Sequence, residues 1–168
     1  MILIVPRLMA LALAAAVLSS RLAGQSEPRA QLAGPSFALT MNRLDLGSDP
    51  PTSEFMIRFT RLRPSALSLD LALGVVDVSG AAAIALEVGP ASTLACPGGA
   101  LLFRVGVMGL QAPSGTAGGL YAGLSALLKF RGRSGLRVDV ARQQYLRPGR
   151  SLGAWQFGGG MALLPRVR

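Results

Sequence analysis

Large apolar residues recur at every second position along most of this chain. Phe55, Ile57 and Phe59 alternate with Met56, Arg58 and Thr60. Leu67, Leu69, Leu71, Leu73 and Val75 alternate with Ala66, Ser68, Asp70, Ala72, Gly74 and Val76, so nearly every even position is small or polar. The same pattern returns in Ile84, Leu86 and Val88, and in Leu101, Phe103, Val105 and Val107. It continues through Leu120–Phe130, Leu136–Val140 and Trp155–Leu163. A period of two marks extended strands, because successive side chains leave a strand on opposite faces. With a weaker first segment, Phe37–Leu46, the pattern predicts eight strands.

Gly-, Pro- and Ser-rich stretches punctuate these runs at 47–53, 63–65, 78–80, 89–99, 112–119, 131–135 and 147–151. No 3.6-residue period persists, and no segment reads as a crossover helix. Neighbouring strands joined by turns describe an antiparallel meander.

Alternation alone fits a soluble barrel as well as a membrane barrel, and the content of the two faces separates them. One face carries Leu, Ile, Val and Phe, and the other mainly Ala, Gly, Ser and a few charges. A soluble barrel shows long polar side chains to water, whereas a narrow membrane barrel fills its interior with small residues around paired polar groups. The small face is therefore expected to look inward. Strand parity places Arg58, Arg104 and Arg137 on it together with Asp70, Glu87 and Asp139, an interior charge network in which three cations offset three anions. Burial favours such pairing, since an unpaired charge away from water costs several kcal/mol.

The alternative is a helical inner-membrane protein with spans near 66–88 and 100–130. It would bring Asp70, Asp77, Glu87 and Arg104 into or near the bilayer core at about 2.5–3.5 kcal/mol each at a helix centre, and it leaves the period of two unexplained.

The first segment follows different rules. Arg7 precedes an unbroken apolar run, Leu8–Leu18, and the small residues Ser19, Ser20, Ala23 and Gly24 follow. This is the layout of a secretory signal peptide over 1–24. An uncleaved anchor is the competing reading, but the run is short of the roughly 20 residues a spanning helix needs. Gln25 after Gly24 disfavours a lipoprotein signal. Residues 25–35 read as a flexible leader, 36–164 as the barrel and 165–168 as a short basic tail.

Charge adds a second layer. The formal net charge is +9, and without Arg7 and Arg21 the chain keeps 15 basic against 8 acidic groups, or +7. With the interior balanced, the excess must lie at the strand ends. If both termini face the periplasm, that rim carries Arg61, Arg63, Lys129, Arg131 and Arg133, which read equally as contacts for lipid head groups or as ordinary solvated turn charges. Arg166 and Arg168 of the tail join them. The opposite rim would hold Asp45, Asp49, Glu54 and Asp77 with Arg142, Arg147 and Arg150. No basic run interleaved with aromatics points to nucleic acid. Aromatics are scarce, yet Phe37, Phe59 and Phe130 fall toward the periplasmic rim and Phe55, Tyr145 and Trp155 toward the outer one, as interfacial girdles do.

Chemistry is sparsely provided. Histidine is absent, which removes the usual general base and the commonest metal ligand. Asp70 and Glu87 read as salt-bridged interior residues more readily than as a catalytic pair. Cys96, the single cysteine, permits no intrachain disulfide and reads as structural. Gly158-Gly159-Gly160 reads as close packing in a narrow barrel and not as a phosphate loop. Neither an enzyme nor a cofactor is expected.

Eight alternating strands behind a signal peptide resemble the small bacterial outer-membrane β-barrels of the OmpA and OmpX type. The resemblance covers nearly all of residues 36–164 and is one of pattern. It implies an all-β, antiparallel up-and-down transmembrane barrel with periplasmic termini and a plugged interior. Members commonly end on an aromatic residue, whereas here Leu163 and Leu164 run into Pro165-Arg166-Val167-Arg168. The expected role is structural or surface-interacting in the cell envelope, as a monomer in contact with membrane lipids, with outer loops at 47–53, 78–80, 110–119 and 143–151 meeting lipopolysaccharide or other cells. The alternative is a small pore or transporter for apolar solutes.

Overall fold

The computed structural model describes residues 32–45, 51–63, 67–78, 80–96, 98–130, 132–147 and 150–165. The segments read as signal peptide, most of the leader, and the tail beyond Pro165 lie outside them. Eight strands follow in chain order: β1 (Gly34–Asp45), β2 (Thr52–Leu62), β3 (Leu67–Val78), β4 (Ala81–Cys96), β5 (Gly99–Ala112), β6 (Gly115–Lys129), β7 (Ser134–Arg147) and β8 (Arg150–Leu163). Each pairs antiparallel with the next, and β1 pairs with β8 from Phe37↔Leu163 to Asp45↔Trp155, which closes the barrel. Closure satisfies the backbone ladder of every strand without water, the condition for crossing a bilayer in extended conformation.

No helix among the described residues is long and apolar enough to cross a membrane. The helical alternative is corrected by the strands themselves: the described residues of 66–88 and 100–130 fold as β3 and β4 and as β5 and β6, because their period of two puts apolar residues on one side of an extended chain.

The strands are longer and the turns shorter than the breaker residues predict. Val78↔Ala81, Cys96↔Gly99 and Ala112↔Gly115 are each joined by two residues. Gly80 (φ +82°) and Gly98 (φ +76°) supply the left-handed backbone that such tight hairpins require. The largest correction is at 89–99, read as a turn, where β4 runs straight through to Cys96. Pro90 pairs with Leu69 of β3 and exposes its ring on the outer wall. It lacks only one ladder donor. Likewise β1 begins at Gly34, inside the segment read as leader. Leu32 just before it is buried with the barrel's core side chains.

The outer wall is apolar on all eight strands, with exposed residues such as Leu39, Ile57, Leu73, Ile84, Val105, Leu120, Val138 and Phe157. Soluble monomers rarely expose contiguous apolar patches beyond a few hundred Å². The interior is built in tiers. Leu32, Leu62, Leu102, Leu127 and Leu164 fill the end where β1 begins and β8 finishes. At the opposite end Leu44, Met56, Val76, Ala83 and Ala112 form a second apolar cluster. Between them lie buried charges.

Candidate functional site

Parity along each strand delivers the interior charges to one level. Arg58 on β2, Asp70 on β3, Glu87 on β4, Arg104 on β5, and Arg137 and Asp139 on β7 are all at most 2% exposed. Arg58 Nη1 lies 2.7 Å from Glu87 Oε2 and 3.5 Å from Asp70 Oδ2. Arg104 Nη1 lies 3.3 Å from Asp70 Oδ2, and its Nη2 lies 3.1 Å from Asp139 Oδ1. Arg137 Nε donates to both Asp139 oxygens, at 3.0 and 3.1 Å, while its Nη2 donates to Asp70 Oδ1 at 3.3 Å. Each carboxylate thus bridges two or more guanidinium groups, so the charges form one network.

Hydroxyl groups finish the lower side of this cluster. Thr60 donates to Asp70 and Ser125 to Asp139, and Arg137 donates to both hydroxyl oxygens, at 2.9 and 3.1 Å. Tyr121 lies under Arg104, whose guanidinium carbon is 5.7 Å from the ring centre. A planar cation over an aromatic face gains further electrostatic support.

A second polar tier, toward the β7–β8 turn, extends beyond the six charges read from the sequence. Glu54 is not on a rim: it is 2% exposed inside the barrel. It accepts from Asn42 Nδ2 at 3.0 Å and from Gln156 Nε2. Gln156 also reaches Glu87 Oε1 at 3.3 Å, and Gln143 Nε2 donates to the same oxygen at 3.0 Å. Tyr145, expected in the outer aromatic girdle, turns inward instead and donates to Gln143 Oε1 at 2.7 Å. Its parity is that of Asp139 and Gln143, three steps and one step away on the same face. Counting in twos from Arg58 reaches Glu54 in the same way, so the signal for both was present.

Asp70 and Glu87 are held by Arg58 and Arg104, so neither carboxylate faces an open cavity as a free acid or base. Among the described residues no cluster of Cys, Asp and Glu is arranged to hold a metal ion. Cys96 ends β4, half-buried, with its thiol directed at Leu94 O, 3.7 Å away.

The rims divide the remaining candidates. Phe37 and Phe59 face outward near the terminal end with ring centres 5.1 Å apart, and Phe130 is exposed in the β6–β7 connection. At the other end Phe55 is exposed, and Trp155 stacks on Phe157 with the Arg142 guanidinium 5.3 Å from its ring centre. Of the basic residues at the terminal end, Arg61 and Arg63 are exposed on β2 and just beyond it. Arg133 turns back to donate to Leu164 O at 3.2 Å. Lys129 is half-buried on the inward-facing row of β6, and Arg131 lies outside the described residues.

A closed barrel of eight antiparallel strands, apolar outside and polar within, is the fold of the small outer-membrane β-barrels of the OmpA and OmpX type. No protein-family model and no curated protein matches the sequence. Among solved structures, the chain is similar to the N-terminal β-barrel domain of OprF from Pseudomonas aeruginosa, with a TM-score of 0.59 at 10% identity, over 79% of this chain and 99% of that one. It is also similar to a de novo designed transmembrane β-barrel, with a TM-score of 0.51 at 17% identity, over 80% of this chain and 97% of that one. At these identities what is shared is the fold.

Proposed function

We propose that this protein is a monomeric barrel of the bacterial outer membrane with a structural role in the envelope and an interior closed to solutes. The observation that carries this reading is the filling of the barrel. Fully buried Arg58, Arg104 and Arg137 cross its middle, bound on several sides by carboxylates, and an apolar cluster lies toward each end. A hydrated channel needs mobile water along its length, and here ion-paired side chains occupy the space. The pore reading finds no such support.

The outer turns separate a structural role from a loop-mediated one. Two residues each connect β3 to β4, β5 to β6 and β7 to β8, and the β1–β2 connection spans 46–51. The loops expected at 110–119 and 143–151 are largely strand, so little chain stands above the wall to grip another cell. Contact with lipids fits better. Arg142 and Trp155 lie at the level where lipopolysaccharide would present its phosphates, and the leader-like 1–24 segment fits export through a cleaved signal. A closed sheet has no free edge to recruit a second copy.

Two measurements test the reading together. Envelope fractionation is expected to place the protein in the outer membrane, with unheated and boiled samples migrating differently on a gel. Purified protein in planar bilayers is expected to give no discrete conductance steps, and reproducible steps would overturn the closed interior.

A further inference from the structure

At the terminal end of the barrel, the outer face of β1 and β2 carries a groove lined by Ala33, Gly34, Pro35, Phe59, Arg61, Leu62 and Arg63. Register explains its shape. Pro35 pairs with Arg61 and Gly34 with Leu62, so the β1 side offers only a ring and a bare backbone beside long β2 side chains. Phe59, Arg61 and Arg63 follow one another on the outward row, and the two arginines stand about 7 Å apart along the strand. The lining contains no acid, and no carboxylate of the described residues forms an ion pair with either guanidinium.

Two other basic residues near the rims are engaged. Arg133 is bound to Leu164 O, and Arg142 lies over the Trp155 ring. The groove therefore joins two unpaired cations to an apolar wall, continued upward by Phe37 against Phe59 and sideways by exposed Leu67 and Leu69 of β3. Cation below and hydrocarbon above is the order of chemistry met along a phospholipid.

We infer that this groove is a binding site for one anionic phospholipid of the periplasmic leaflet, with Arg61 and Arg63 holding the phosphate and Phe59 and Pro35 packing against an acyl chain. The inference rests on the membrane reading and on termini that face the periplasm. Arginine suits the task because its planar fork can bind a phosphate with two parallel hydrogen bonds. Each basic side chain near an anionic surface also adds a favourable increment.

The test uses the full-length protein in nanodiscs of phosphatidylethanolamine with a minor fraction of phosphatidylglycerol, followed by native mass spectrometry of the lipid retained after detergent extraction. Wild type is expected to keep one phosphatidylglycerol, saturably, as its fraction is raised. Arg61→Gln/Arg63→Gln is expected to lower that occupancy about tenfold, and Arg43→Gln, on the outer half of β1, to leave it unchanged. Non-saturable retention by wild type, equal retention by the double variant, or no preference for phosphatidylglycerol over phosphatidylethanolamine would each overturn the site. The gel shift of the same samples separates the two levels: a wild-type protein that never inserts defeats the membrane reading, whereas insertion with arginine-independent retention defeats only the site.

Discussion

Asp139 is touched by all three buried arginines, with Arg58 Nε at 3.7 Å as the most distant, and it also accepts from Ser125. Removing such a partner strands positive charge in a medium that cannot solvate it, at about 3–5 kcal/mol. Asp139→Asn should therefore lower unfolding stability by about 3 kcal/mol or more, measured by urea titration in lipid vesicles with Trp155 fluorescence as the probe. Glu54 differs, because among the described residues it is bound by the amides of Asn42 and Gln156. It is the fourth buried carboxylate against three buried arginines. Glu54→Gln keeps an acceptor oxygen and removes the excess charge, so its effect should stay within about 1 kcal/mol. A large loss in Glu54→Gln would mean that the charge itself holds the upper tier together. Glycine acts at the same scale. A Cβ on Gly160 would land on the carbonyl oxygen of Leu39, whereas one on Gly109 meets nothing within 4 Å. Gly160→Ala should abolish the heat-modifiable folded band on a gel, and Gly109→Ala should leave it intact.

At the scale of the strand, the side-chain period was legible and the strand ends were not. Leu67 to Val75 alternate without interruption, and β3 follows them with every odd residue outward. In β4, by contrast, Gly89 and Pro90 resemble a turn. Local propensity disfavours both residues in a sheet, but the narrow barrel wants Gly89 where a Cβ would strike the backbone of Val105 and Gly106. The neighbour's demand outweighs the local preference, and only the partner strand makes that demand visible. The wall's energetics also depend on position along the strand. Leu73 is 55% exposed near the middle of β3, paired with Ile57 and Leu86, which also face outward. Leu67 stands at its terminal end. Arginine at a bilayer midplane costs about 2–4 kcal/mol and at the interface about 0–1. Leu73→Arg should thus destabilise folding into vesicles by roughly 2–4 kcal/mol and Leu67→Arg by roughly 1 or less. Equal effects would argue that Leu73 does not lie in hydrocarbon.

For the whole molecule, the usual relation between core and surface is reversed. Apolar residues face outward, and the buried space holds arginine, carboxylate, amide and small side chains between two modest apolar clusters. The sequence by itself determined the extended strands, their number, and which face carries the six charges, because a period of two acts residue by residue and parity propagates along a strand. It also contained the contrast between a face of Leu, Val and Phe and a face of Gly, Ala and Ser, from which the outward direction of the apolar row follows. Tertiary structure alone decided which charges meet. Arg137 reaches Thr60 and Asp70 across the barrel, 77 and 67 residues away in the chain, at distances set by strand stagger and closure between β1 and β8. Strand pairing likewise shortened the turns and set Pro35 beside Arg61 to make the groove, whereas the inward direction of Glu54 and Tyr145 follows from parity alone. Periodicity is a property of one strand, whereas register and curvature arise only when all eight are joined.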